Sequence, residues 1–189
     1  AVVKKGLEEQ SQVFIAFGGS LPTVDAATAY QDEEMLSMLQ NLLDIRLREV
    51  VREEKGGSYH VNVSASMELY PQRSFMVEIL FGCQPGREQE LTDAIIDEVE
   101  NLRKNLVDQS YITKLQEAYR RSKETALKTN SYWVTMAGRA ALNDFPTTII
   151  ADTDTIPNMV TPQAMRQLAQ RYLDPNNYVL VFLEPESAQ

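Results

Sequence analysis

The sequence contains only one cysteine and one histidine among its 189 residues. A single cysteine, Cys83, can neither form a disulfide within the chain nor build a cysteine-based zinc site. A single histidine, His60, excludes a metal site that takes two histidines from this chain. No apolar run approaches the roughly 18 residues that a membrane-spanning helix requires. We therefore expect no membrane span and no metal bound by this chain.

Positive charge is also scarce, with 18 Lys and Arg against 27 Asp and Glu and a formal net charge of −9. A nucleic-acid binder needs a positive field to displace counterions from phosphates, so nucleic acid is not an expected partner. The length and the 43% hydrophobic content predict one domain over residues 1–189 with a real core. Because the chain starts at Ala1 with no leader pattern, we expect a processed product or a domain of a longer protein.

Hydrophobic periodicity predicts the order strand, helix, strand, strand, three helices, strand. The strands are predicted at residues 13–17, 59–69, 75–81 and 178–183, with a hairpin turn at 70–73. The helices are predicted from residue 32 to the glycine pair 56–57, from about 91 to 105, from 108 or 110 toward 142 with a kink near 130–131, and from 162. Because the helices cluster rather than alternate with strands, we predict an α+β fold with a largely antiparallel sheet packed against helices.

The usual catalytic motifs are absent from the sequence. It has no G-x-S-x-G nucleophile elbow, no P-loop, and no G-x-G-x-x-G after the first strand. Cys83 follows a strand and is expected to be a small apolar core residue rather than a nucleophile. His60 is expected on the polar face of a strand, exposed or hydrogen-bonded.

One segment does suggest chemistry, the end of the first helix and the start of the strand that follows. Arg52 lies in the last helical turn and Tyr59 opens the strand, with Gly56-Gly57 between them. A glycine pair permits a sharp reversal, so the guanidinium and the phenol could share one space. The guanidinium offers a planar fork of N–H donors and the phenol offers one O–H donor, so together they could bind a substrate carbonyl or carboxylate. The alternative is a purely structural role for both residues. A cation near a helix C-terminus is favoured by the helix dipole alone, and Tyr59 falls on the apolar face of the alternating strand pattern.

At this segment the sequence resembles the C-terminal-type domain of the insulinase, pitrilysin and mitochondrial-processing-peptidase family of zinc peptidases. The match runs from Arg52-Glu53 through Gly56 to Tyr59. The resemblance covers nearly the whole chain and is closest to bacterial zinc proteases. Further matching segments are Gln12-Val13-Phe14, Phe81-Gly82-Cys83, residues 128–133 (KTNSYW) and residues 172–178 (YLDPNNY).

The resemblance implies a division of labour between two related halves that enclose a chamber. One half binds zinc through H-x-x-E-H and a downstream Glu, and the first Glu activates water. The other half supplies the Arg/Tyr pair, here Arg52 and Tyr59, which binds the substrate backbone and helps to stabilise the oxyanion. Since one histidine cannot supply H-x-x-E-H, the resemblance implies that this chain is the substrate-binding half. Alone it is expected to hold no cofactor, no zinc and no peptidase activity.

The expected partners are a zinc-bearing N-terminal half, in the same protein or in a partner subunit, and a peptide substrate. The resemblance also leaves open a non-catalytic scaffold or partner subunit, because the family includes inactive members. A stand-alone small-molecule binding domain is a third possibility, resting only on the generic α+β pattern. Bacterial relatives favour the periplasm or cell envelope over the cytoplasm.

Overall fold

The computed structural model describes residues 1–6, 10–55 and 60–186, with the side chains of 52–55 outside the description. The strands are β1 (Val2–Lys4), β2 (Ser11–Ser20), β3 (Val61–Glu68), β4 (Ser74–Cys83) and β5 (Tyr178–Glu184). The helices are α1 (Ala26–Lys55), α2 (Glu88–Lys104), α3 (Gln109–Ala126), α4 (Asn130–Asn143), α5 (Thr155–Met159) and α6 (Pro162–Tyr172). A short 3₁₀ turn spans Thr147–Ile149.

The strands form one sheet in the order β1-β5-β2-β4-β3. The β1–β5 pair is parallel, and the other pairs, β2–β5, β2–β4 and β3–β4, are antiparallel. The predicted α+β fold with a largely antiparallel sheet packed against helices is confirmed. The predicted hairpin is also present, with Val61 opposite Phe81 and Glu68 opposite Ser74.

The main core lies between one face of the sheet and the helices. Alternate residues of the central strands are fully buried, as the period-two pattern predicts; they are Val13, Ile15, Phe17, Val77, Ile79 and Phe81. Helix α1 contributes Leu36, Leu39, Leu43 and Leu47 to the same cluster. The predicted apolar stripe of α1 is therefore confirmed, except that Val51 is buried at its end while Val50 is only half-buried.

Helix α1 begins at Ala26, six residues before the predicted start at Asp32. The reason is an Asp cap, because the Asp25 carboxylate accepts hydrogen bonds from the Thr28 amide at 3.0 Å and the Thr28 hydroxyl at 2.6 Å. An aspartate in this position satisfies amide groups that the first helical turn leaves without partners. Strand β2 likewise extends beyond its predicted end at residue 17 and continues to Ser20.

The long helix predicted toward Leu142 is two helices, α3 and α4. Thr129 starts the second one, because its hydroxyl accepts from the Tyr132 amide at 3.4 Å. The predicted kink is thus a break with a new N-cap. Leu142 is 76% exposed and lies outside the core stripe to which the prediction assigned it. Strand β1, helix α5 and the 3₁₀ turn are additional elements that the periodicity did not predict.

The second face of the sheet carries apolar side chains that belong to neither buried cluster. Val179 is 58% exposed, Met76 is 44% exposed and Leu80 is 41% exposed. Phe14, half-buried between them, is paired with Leu80 on one side and Val181 on the other. We call this set, Phe14, Met76, Leu80, Val179 and Val181, the outer sheet face. Glu78, which accepts a hydrogen bond from the Ser64 hydroxyl at 3.0 Å, lies between Met76 and Leu80 on this face.

Candidate functional site

The predicted site lies where α1 ends and β3 begins. Helix α1 has 30 residues, which corresponds to a length of about 45 Å at 1.5 Å per residue. Its described part reaches Lys55, and the predicted helix stop at Gly56-Gly57 lies outside the described residues. Strand β3 begins at Val61, so a short segment connects the C-terminus of the helix to the sheet.

The helical side of this connection is held by a network of partly buried polar groups. The Arg46 guanidinium donates to Glu98 of α2 at 2.8 Å and to the Tyr111 hydroxyl of α3 at 2.7 Å. The Tyr111 hydroxyl in turn donates to Glu49 at 2.6 Å. The hydrogen bond from Arg46 to Glu98 is the main cause of a raised pKa at Arg46, so the guanidinium stays charged. This network joins α1, α2 and α3 within two turns of Arg52.

The strand side is held by the sheet itself. Val61 and Phe81 are paired and are both buried at 1% exposure. Strand β3 is the last strand of the sheet on this side. Its outward edge is partly occupied, because the side-chain oxygen of Gln40 accepts the Ala65 amide at 3.1 Å. The segment before Val61 therefore leads into an edge strand. Among the described elements, no other strand pairs with the outward side of its first residues.

The predicted pair itself lies largely outside the described residues. The backbone of Arg52 is in the last turn of α1, as predicted, but its side chain is not described. Tyr59 and the glycine pair are also outside the described residues. The convergence of Arg52 and Tyr59 accordingly stays a prediction, and the structure provides the two anchored ends between which it would occur.

A recess of about 420 Å³ lies between α1 and α2 on the same part of the molecule. It is mostly acidic, being lined by Val50, Glu90, Asp93, Ala94, Asp97 and Glu98. The negative sign of this surface agrees with the net charge of the chain and is unsuited to a polyanion.

The other two residues considered from the sequence have structural explanations. Cys83 is 1% exposed within the main core, and burial raises the pKa of its thiol to about 11, so it is not a thiolate near neutral pH. This confirms the predicted core role. His60 is exposed and immediately precedes β3 rather than lying within it. Within residues 1–6, 10–55 and 60–186, no three His, Cys, Asp or Glu side chains form a group fit to hold a metal ion.

Sequence reasoning missed a polar cluster between α1 and α3, formed by Tyr30, Glu34, Tyr119 and Lys123. The hydroxyl groups of Tyr30 and Tyr119 interact with each other and with the Glu34 carboxylate. Burial, followed by the nearby Glu34 charge, raises the pKa of both phenols, so both stay protonated. The sequence does place Tyr30 and Glu34 four residues apart on one helix, and Tyr119 and Lys123 four residues apart on another. Nothing in the sequence shows that these two helices face each other.

The sheet and the helices packed against it define a two-layer α+β domain. A family model described as "Peptidase M16 inactive domain" matches residues 1–119. The chain therefore belongs to the peptidase M16 family, as an inactive domain of that family. The resemblance to insulinase-type proteases that the sequence motifs suggested is confirmed.

Solved structures of M16 proteins share the fold over nearly the whole chain. The periplasmic protease PqqL from Escherichia coli is 21% identical with a TM-score of 0.78, covering 98% of this chain and 20% of that one. A peptidase M16 inactive domain from Pseudomonas fluorescens is 18% identical with a TM-score of 0.73, covering 100% and 44%. A protein from Yersinia pestis, described as a predicted insulinase family protease, is 12% identical with a TM-score of 0.69, covering 100% and 42%.

The chain thus spans between about a fifth and under a half of the length of these structures. The comparison with curated proteins gives no match. In the described part of the chain, no helix combines the length and the apolar character that crossing a membrane would require.

Proposed function

We propose that this chain is the substrate-binding half of a zinc metalloendopeptidase, with zinc bound by another domain of the protein or by a partner subunit. Arg52 and Tyr59 are the residues that carry this role. The observation that supports it is the combination of family membership with an Arg and a Tyr seven residues apart at the joint between α1 and the edge strand β3.

The chemistry assigned to each residue follows from its donor geometry. Arg52 presents a rigid planar fork of N–H donors, which suits a carbonyl oxygen of the peptide backbone. Tyr59 presents one O–H donor, which would meet the negative charge that develops on the carbonyl oxygen as it becomes tetrahedral. Removing one donor of this kind typically costs on the order of 3 kcal/mol in the activation barrier.

Preorganisation is the physical reason for placing such a pair at this joint. The network of Arg46, Glu49, Glu98 and Tyr111 fixes the last third of α1, and the paired Val61 and Phe81 fix the start of β3. A donor pair on a short connection between two anchored elements loses little conformational entropy when a substrate binds. β3 is the terminal strand of the sheet, so the part of its edge not occupied by Gln40 has backbone groups that an extended peptide could pair with.

The outer sheet face is proposed as the surface that contacts the zinc-bearing half. Its exposed apolar side chains, Met76, Leu80 and Val179, gain stability when another domain covers them. The matching solved structures are two to five times longer than this chain, which supplies a candidate for that domain. We place the assembled protein in the bacterial periplasm or envelope, in line with the description of the similar Escherichia coli protein as a periplasmic protease.

Reconstitution tests this proposal. The chain and a zinc-bearing M16 half encoded by the same organism are expected to cleave a quenched fluorescent peptide when mixed, while the 189-residue chain alone does not. Leu80→Asp should weaken the association of the two halves at least tenfold, because it places a charge in the covered apolar face. Leu106→Asp is the matched control, since Leu106 is 48% exposed outside that face and its substitution should leave association unchanged.

Two results would contradict the proposal. Peptide cleavage by the chain alone would overturn the division of labour between the halves. A stable assembly of the two halves that cleaves no peptide would instead support the scaffold alternative, in which the chain serves as a non-catalytic partner.

A further inference from the structure

A cavity of about 490 Å³ lies between α1, α3 and α4. Among its lining residues are Tyr30, Glu34, Tyr119, Lys123, Tyr132 and Met136. Glu34 precedes Arg52 by 18 positions on α1, which separates them by about 27 Å along the helix. The cavity is therefore a second, independent feature of the domain.

Lys123 is the unusual residue of this cavity. It is only 7% exposed, which is rare for a lysine, and the carboxylate whose titration it affects is Asp152. Among the described residues, no hydrogen-bond acceptor and no ion-pair partner lies on its ammonium group. Its one close contact is the face of the Tyr132 ring, 5.2 Å from the Nζ atom to the ring centroid. A cation–π contact compensates part of the lost hydration but uses none of the three N–H donors.

The surroundings of Lys123 are fixed rather than adaptable. The Tyr132 hydroxyl donates to the Ile150 carbonyl at 2.7 Å, which holds the ring beneath the ammonium. The Asp152 carboxylate has a lowered pKa, caused mainly by hydrogen bonds from Thr155, and is close enough to Lys123 for the ammonium to contribute. Its oxygens accept from the Asp154 amide at 2.8 Å and from the Thr155 amide at 3.0 Å, so it stays in its own turn. Lys123 lines the cavity with its ammonium over the Tyr132 ring.

The remaining charged groups of the cavity have protein partners or, in the case of Lys114, are exposed to water. Glu34 interacts with the two phenols, and Asp44 forms an ion pair with Arg48 at 2.5 Å. Lys114 lies over the Tyr111 ring at 5.5 Å, at the other end of the groove from Lys123. Lys123 is therefore the buried cation of this cavity that has no hydrogen-bond acceptor among the described residues.

We propose that this cavity binds a carboxylate-bearing ligand, with the carboxylate on the Lys123 ammonium and the body of the ligand against Tyr132 and Met136. A volume of 490 Å³ falls within the range of small-molecule sites, which run from about 300 to 1,000 Å³. The carboxylate can belong to the C-terminus of a peptide or to a small organic acid.

Calorimetric titration of the 189-residue chain tests this proposal with three probes: N-acetyl-Ala-Ala-Ala with a free carboxylate, the same tripeptide as its C-terminal amide, and succinate. We expect at least one of the two carboxylate probes to bind, and the amide to bind at least tenfold more weakly than the free tripeptide acid if that acid binds. Tighter binding of the tripeptide acid would identify peptide termini as the source of the carboxylate. Tighter binding of succinate would identify small organic acids.

Two variants separate the cavity from general charge effects. Lys123→Met keeps the apolar stem and removes the charge, and it should lower the affinity at least tenfold while the chain stays folded by circular dichroism. Lys114→Met removes the other cavity lysine and should change the affinity less than twofold. Absence of binding by either carboxylate at 10 mM, equal binding of acid and amide, or unchanged affinity in Lys123→Met would each overturn the proposal. If Lys123→Met does not fold, Tyr132→Leu, which removes the ring beneath the ammonium, replaces it with the same expected loss.

Discussion

In the protein assembled with its zinc-bearing half, Arg52→Ala is expected to lower kcat/KM by about 10- to 100-fold. The guanidinium would form charge-assisted hydrogen bonds to the substrate backbone, and each such bond contributes about 1.5–3 kcal/mol. Since these bonds hold the substrate before and during reaction, much of the loss should appear as a higher KM. Initial-rate measurements over a range of peptide concentrations give both constants.

Arg48→Ala is the matched control for this variant. Arg48 lies one helical turn before Arg52, is exposed at 52%, and pairs with Asp44 on the helix surface. Its replacement removes the same charge from the same helix but not from the proposed site, so kcat/KM should change less than twofold. Equal losses in the two variants would mean that the effect arises from the charge of the helix rather than from contact with substrate.

Leu43→Ala is expected to destabilise the domain by about 2–5 kcal/mol, the largest effect that we predict for its stability. Leu43 is 0% exposed and lies in the middle of α1, within the core cluster that also contains Ile15 and Ile79. Truncation removes apolar contacts and leaves a cavity between helix and sheet, and both effects favour the unfolded state. Urea denaturation followed by circular dichroism measures the change.

Leu142→Ala provides the contrast, because Leu142 has the same side chain but is 76% exposed on α4. Its free energy of unfolding should stay within about 0.5 kcal/mol of the wild-type value. A similar destabilisation by both substitutions would contradict the assignment of the core to the interface between α1 and the sheet.

The regular parts of the fold were predictable because burial on one face imposes a period on the sequence. The alternation through Val61 and Val63 and the three- and four-residue steps through Leu39 and Leu43 both predicted the buried face correctly. Helix ends were less predictable, because Asp25 and Thr129 act through local hydrogen bonds that leave no periodic signal. The same reason explains why one helix was predicted where α3 and α4 are separate.

The candidate sites differ in how much the sequence revealed. Arg52 and Tyr59 were found because they are close in the chain, and a glycine pair between them indicates a reversal. Lys123 and Tyr132 are joined by a break between two helices, while Glu34 comes from a distant helix. Only the packing of α1 against α3 brings these groups to one cavity, and a single sequence contains no direct record of that packing.

The measurement that most directly tests the peptidase proposal is the division of the Tyr59→Phe effect between kcat and KM in the assembled protein. Phenylalanine keeps the ring and removes only the O–H group, so it isolates the proposed hydrogen bond. If the phenol meets charge that exists only in the transition state, kcat should fall about 100- to 1,000-fold while KM changes little. A kcat equal to that of the wild type, with the variant correctly folded and assembled, would contradict the role that we assign to this half of the enzyme.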